Sequence, residues 1–166
     1  QMAAQINAAN QQMQAAQNIS QVFMGANLKC ASCHDSFVSQ WLLSDSYGLA
    51  GVFADKPLEM ERCATPTGKI APMKFLYPEL GAIDPKLPRD QRLVQLANII
   101  TNEKNGRLSR TIVNRLWKNF LGRALVEPVD EMDRDPWNAD LLDWLAVALA
   151  TNSKWDLKKN MARIMT

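Results

Sequence analysis

Cys30-Ala31-Ser32-Cys33-His34 places two thiols three residues apart and an imidazole directly after the second. Residues three apart lie about one helical turn apart, on one side of the chain. Both sulfurs can then add to the two vinyl groups on one edge of a porphyrin. The imidazole that follows can turn beneath the ring and bind iron. His34 is the sole histidine, so its place beside Cys33 is the most specific signal in the sequence. The expected cofactor is one covalent haem c, held by Cys30, Cys33 and His34.

With no second histidine, the sixth ligand is expected to be a methionine, which raises the potential. Met73 is expected there, because Pro72 would hold the backbone in an extended arc over the ring. Met60 is second, Met24 lies upstream, and a vacant or partner-filled position is the remaining alternative. Trp41, Tyr47 and Phe53 are expected to shield the haem, although aromatics at this spacing serve equally as plain core.

Zinc is the main rival, with Cys30, Cys33, His34 and Cys63 as ligands. Zinc sites favour two separated ligand pairs, whereas Cys33 and His34 are adjacent and Cys63 stands alone. A redox-active thiol pair is disfavoured because no alternating strand–helix pattern surrounds it. Three cysteines also cannot make a closed disulfide framework.

Outward from the motif, the chain divides into three parts. Residues 1–28 carry no charge and are rich in Gln and Ala. Met2, Ile6, Ala9, Met13, Ala16, Ser20 and Phe23 form the thin seam of an amphipathic helix. That seam suits packing on the chain's own core, with a partner-binding helix or a Gln-rich disordered tail as the alternatives. Residues 29–88 form the haem-binding segment, in which a short helix bearing Phe37, Trp41 and Leu42 is expected. Ser44-Asp45-Ser46 looks like the N-cap of another. The prolines from Pro57 to Pro88 predict a long irregular segment that wraps the cofactor.

Residues 89–166 read as four helices, over Arg89 to Thr101, Leu108 to Leu121, Asn138 to Ala150 and from Asp156 onward. Gly122 is read as a helix stop, and Asp156 as a cap. No strand run is convincing, so the fold class is all-α: a cytochrome c-like haem-binding segment and a small helical C-terminal domain, joined by the Pro-rich stretch. Charge is segregated between a basic run (Lys104, Arg107, Arg110, Arg115, Lys118) and an acidic one (Glu127 to Asp143), read as a basic helix against an acidic loop, with a docking surface as the alternative.

At 166 residues, 47% apolar and 22% charged, the chain has the make-up of an ordinary globular protein. A net charge of +2 gives no reason to expect nucleic acid, and no stretch is apolar enough to be a transmembrane segment. No signal peptide is visible, so the chain is read as a mature product or a fragment.

The run from Val22 to Asp55 resembles the haem-motif end of the planctomycete-type cytochrome c domain of unknown function. The likeness rests on Cys-x-x-Cys-His, then Trp41, Tyr47-Gly48-Leu49-Ala50 and Phe53-Ala54. The second half is similar to that domain's usual C-terminal companion, above all in Val113-Asn114-Arg115-Leu116-Trp117. The resemblance spans about Ile19 to Thr166. Asp35-Ser36-Phe37 stands where members often have His-Pro-Phe, and the Gln/Ala-rich start falls outside the likeness. Asn114 and Arg115 are read as a buried pair tying helices together rather than as catalytic groups.

The functional expectation is an electron-transfer subunit without substrate turnover of its own. It is placed at the periplasmic or extracellular face of the membrane and works with redox partner proteins. A hetero-oligomeric complex is expected through the N-terminal helix. The alternatives are a structural subunit whose haem, or zinc, only staples the fold, and a haem sensor or peroxidatic protein with an open sixth position.

Overall fold

The computed structural model describes the backbone of residues 2–166 and the side chains of residues 9–166, so the seam positions Met2 and Ile6 lie outside the described side chains. The chain forms two compact units. The first comprises residues up to Ile19 together with Asn27–Ile99, the second Ser20–Ala26 with Ile100–Thr166.

In the first unit, helix α1 (Met2–Ile19) packs against α2 (Leu43–Ala50). Ala16 on α1 is fully buried, and a side chain this small permits close helix approach. The Asp45 carboxylate accepts the Leu42 amide hydrogen at 2.8 Å, so it supports the first turn of α2 from inside the helix. Asp45 also pairs with Lys74 Nζ at 2.5 Å. The Gly48 carbonyl accepts the Lys74 amide, and a Cβ on Gly48 would lie 2.8 Å from Lys74 Cγ and 2.9 Å from the Pro72 carbonyl oxygen. That close approach explains the glycine in Tyr-Gly-Leu-Ala.

Leu28, Leu49, Val52 and Phe75 are buried in this unit, and Trp41 meets Tyr77 edge-on at 5.4 Å. Helix α3 (Arg89–Ile100) sends Arg92 inward, where Nη1 donates to the Gly51 carbonyl and Nη2 to that of Ala54. No helix forms between His34 and Leu42: Trp41 is buried, whereas Phe37 and Leu42 are exposed.

The fold is mixed, not all-α. Strands β1 (Glu59–Arg62) and β2 (Thr65–Ile70) pair antiparallel inside the segment read as irregular. Their side chains are nearly all exposed, so the alternation that reveals a half-buried strand is missing. Pro66 and Gly68 argue against a strand by propensity but are tolerated in a two-stranded ribbon with free edges. The cytochrome c-like helical arrangement expected for residues 29–88 is likewise not formed: its only α-helix is the eight-residue α2.

The second unit is helical, while the helix expected over Arg89 to Thr101 belongs to the first. Helices α4 (Gly106–Leu121), α5 (Ala139–Ala150) and α6 (Leu157–Met165) enclose Val113, Leu125, Val126, Leu142, Leu145 and Leu149. Asn105, Asn138 and Asp156 cap the three N-termini through side-chain oxygens, and Gly122 ends α4 at φ +80°. Arg107–Asp133, Arg110–Asp143, Arg115–Asp130 and Lys118–Glu127 pair the basic helix with acidic residues.

Candidate functional site

Cys30 to His34 form a single turn. The Cys33 and His34 amides both donate to the Cys30 carbonyl, at 3.1 and 3.2 Å, and the Ser32 amide donates to that of Leu28. Ser32 Oγ donates to the Lys29 carbonyl and accepts from Gln17 Nε2 at 2.7 Å, which ties the turn to α1. All three cysteines are exposed free thiols.

His34 Nδ1 lies 2.8 Å from the Asp35 carbonyl oxygen. A carbonyl can only accept, so Nδ1 carries a proton, and in the neutral imidazole Nε2 keeps its lone pair. This is the tautomer a metal-ligating imidazole adopts when a backbone carbonyl orients it. Phe37 lies against the imidazole, with ring centroids 4.8 Å apart, and is 90% exposed. Val38 and Leu42 nearby in sequence are exposed as well.

The hairpin β1–β2 is held to this turn, to Asp35 just after it and to α2 by three contacts. Arg62 pairs with Asp35 at 2.6 Å, the Cys63 amide donates to the Cys33 carbonyl at 3.0 Å, and the Glu61 amide donates to the Tyr47 hydroxyl at 3.1 Å. Asp35 Oδ1 accepts the Leu43 amide, which, ahead of Arg62, holds the carboxyl below its ordinary range. Burial pushes the Tyr47 phenol above its ordinary value; the Glu61 amide opposes this, and the Glu61 and Cys33 side chains add to it.

Beside Cys33 lies a cavity of about 390 Å³. Its walls include Met13 and Gln17 of α1, Ser32 and Cys33 of the turn, Tyr47 of α2, and Glu59 and Glu61 of β1. The chain thus offers two thiols on one turn, an imidazole of the right tautomer and a recess next to one thiol. These donors fit a covalently held porphyrin iron.

The other candidate residues lie elsewhere. Met73 lines a separate cavity of about 320 Å³ with Gly51 and Arg92, and its sulfur is 3.6 Å from Arg92 Nη1. Met60 lies on β1, where its carbonyl accepts the Thr67 hydroxyl. Neither lines the recess beside Cys33. Tyr47 borders both cavities, and Trp41 packs on Tyr77 in the core. Among the described residues no three His, Cys, Asp or Glu side chains are grouped to hold a metal ion, so the four-ligand zinc set is not assembled. One residue escaped the sequence reading as a neighbour of the motif, Met13, twenty positions upstream of Cys33; Cys63, thirty downstream, was placed beside the motif only as a zinc ligand. No local pattern signals either contact.

Asn114 is fully buried in α4. Its Nδ2 donates to the Val126 and Val129 carbonyls at 3.0 Å, and its Oδ1 accepts the Val126 amide at 2.8 Å. Arg115 is half-buried, donating to the Gln21 and Val22 carbonyls and to Asp130. The Val-Asn-Arg-x-Trp run therefore holds loops to a helix.

No curated protein and no solved structure matches the chain. Residues 1–57 match the family model PSCyt2, a protein of unknown function (DUF1549), so the likeness extends to the Gln/Ala-rich start. Residues 91–166 match PSD1, a protein of unknown function (DUF1553). The chain thus pairs stretches similar to two planctomycete-type domains of unknown function, one at each end.

Proposed function

We propose that this chain is a monohaem c-type protein serving electron transfer outside the cytoplasm. In this reading each thiol of Cys30 and Cys33 adds across one vinyl group, sulfur to one carbon and hydrogen to its neighbour, with no net redox change. The observation that carries the reading is the His34 contact: Nδ1 lies 2.8 Å from the Asp35 carbonyl oxygen, which leaves Nε2 for iron, on the same turn as two free thiols. The exposed Phe37, Val38 and Leu42 support it, since apolar residues clustered in sequence beside a cofactor motif suit a surface that a flat apolar ring would cover.

When bound, haem would supply a one-electron ferrous–ferric couple. Cys30 and Cys33 anchor it, His34 ligates, and the Asp35 carbonyl orients the imidazole. Covalent attachment favours a periplasmic or extracellular location. No described helix is long and apolar enough to cross a membrane. The proposed partners are redox proteins in a larger complex. The N-terminal helix is the proposed contact.

A second reading, an open sixth position that binds small ligands, is favoured by one observation: neither Met60 nor Met73 lines the recess beside Cys33. The test is expression in a bacterial periplasm with haem-attachment machinery, followed by an alkaline pyridine spectrum. The proposal expects a c-type haemochrome at one haem per chain, and a colourless product contradicts it. Carbon monoxide added to reduced protein then separates the readings: an unchanged spectrum supports the carrier, a shifted one the open site.

A further inference from the structure

The β1–β2 turn is unusual. Arg62 pairs with Thr65, so Cys63 and Ala64 alone make the loop, and both have positive φ, 49° and 64°. Two consecutive left-handed residues define the type I′ hairpin turn, which selects Asn-Gly or Gly-Gly because side chains resist that conformation. Here neither residue is glycine. A strained non-glycine conformation persists only where its surroundings hold it, and such positions cluster at working sites.

What holds it is the turn of Cys30 to His34. The Cys63 amide donates to the Cys33 carbonyl at 3.0 Å, and the Cys63 sulfur is 3.9 Å from that same oxygen. A backbone hydrogen bond of this length brings two Cα atoms to within about 5–6.5 Å, the separation a disulfide spans. The Arg62–Asp35 pair and the Glu61–Tyr47 contact hold β1 where it enters the turn. The neighbouring Cys33 side chain is the main cause holding the Cys63 thiol above its ordinary range. Both sulfurs are exposed to reagents.

We propose that Cys33 and Cys63 form a redox-active dithiol pair, which closes to a disulfide in the haem-free chain and leaves Cys30 as the free thiol. Closure breaks two S–H bonds, forms one S–S bond and releases two protons and two electrons. The electrons pass to a small-molecule disulfide, such as oxidised glutathione, which is reduced to two thiols. The pairing stands without haem. Its consequence rests on the haem reading: a closed pair withholds Cys33 from the porphyrin edge, so attachment requires prior reduction. Exposed disulfides are the readily reduced kind, which suits a reversible gate.

The sequence makes the test direct. Trypsin cuts after Lys29, Arg62 and Lys69 and passes Lys56, which precedes Pro57. Cys30 and Cys33 therefore share peptide 30–62, while Cys63 lies on peptide 63–69. Haem-free chain from a cytoplasm lacking attachment machinery is reduced, exposed to oxidised glutathione, alkylated, digested and weighed without reductant.

The two peptides are expected to be joined, with Cys30 alkylated. The joined species should persist in Cys30→Ser and fall at least about tenfold in Cys33→Ser, because only Cys33 has a high effective concentration at Cys63. A bridge inside peptide 30–62 with Cys63 alkylated overturns the proposal, as does alkylation of all three cysteines, or a cross-link lost in Cys30→Ser and kept in Cys33→Ser. The wild-type digest decides even if a variant misfolds. Since haem-free chain is used, failure here leaves the haem reading standing, and a failed haem reading leaves this pairing standing.

Discussion

Asp35 and Arg62 form a carboxylate–guanidinium pair at 2.6 Å that fastens β1 beside the turn of Cys30, Cys33 and His34. Asp35 serves that turn twice, since its carbonyl orients the His34 imidazole while its carboxylate holds Leu43 and Arg62. The hairpin, the ligand candidate and the start of α2 thus share one residue.

Its protonation sets a pH window. The folded Asp35 carboxyl lies below its ordinary 3.8, chiefly because the Leu43 amide donates to it and secondarily because Arg62 is close. A depressed carboxyl contributes stability above its unfolded value and loses it as pH falls through the folded value. Hairpin docking is therefore expected to be unchanged from pH 7 to about 4 and to loosen only below 3.8. Asp35→Asn should mimic the acid form at neutral pH, raising Cys63 amide hydrogen exchange roughly two- to fivefold, as suits an exposed pair. Exchange equal to wild type would show that the pair does not hold the hairpin.

Asn114 satisfies three backbone groups at once, two of them buried. Asn114→Ala leaves two carbonyls and one amide without partners, at about 2–4 kcal/mol in urea unfolding. Asn114→Asp should cost at least as much, because it turns an acceptor toward the Val126 and Val129 carbonyls. A loss under about 1 kcal/mol in either variant would refute this role.

Gly25 has φ +60°, and a Cβ there would lie 2.2 Å from Met132 Cγ, within a joint where the Met132 amide donates to the Gly25 carbonyl at 2.8 Å. Gly25→Ala is expected to destabilise the chain by about 2 kcal/mol or more, from backbone strain and overpacking together. Gly25→Ala with Met132→Ala should recover part of the loss, visible as a partial return of Tm. A double variant no better than the single one would point to backbone strain alone.

His34→Ala tests the ligand assignment apart from attachment. In protein carrying covalent haem, the variant should keep the haem mass but lose its axial nitrogen, moving the reduced spectrum and opening it to carbon monoxide. A spectrum identical to wild type would exclude His34 as the ligand.

What the sequence revealed follows from how local each signal is. The helices of the second unit were legible because Asn138, Asp156 and Gly122 mark their ends and Leu142, Leu145 and Leu149 their buried face. The hairpin was hidden because Glu59–Arg62 and Thr65–Ile70 face solvent on both sides and turn through Cys-Ala rather than Asn-Gly. Phe37 and Leu42 were expected on one helical face with Trp41, yet only Trp41 found a core partner, Tyr77. Cys30, Cys33 and His34 were legible because they are contiguous. Met13 and Cys63 reach Cys33 only through tertiary packing, and Met73 is drawn to Arg92 by a contact no spacing encodes.

The most direct measurement is the intact mass of chain secreted to a bacterial periplasm with haem-attachment machinery, taken after acid–acetone extraction of loose porphyrin. The account predicts a mass one haem above the bare polypeptide, and the bare mass when Cys30 and Cys33 are both replaced by alanine. The bare polypeptide mass in the wild-type chain would contradict it.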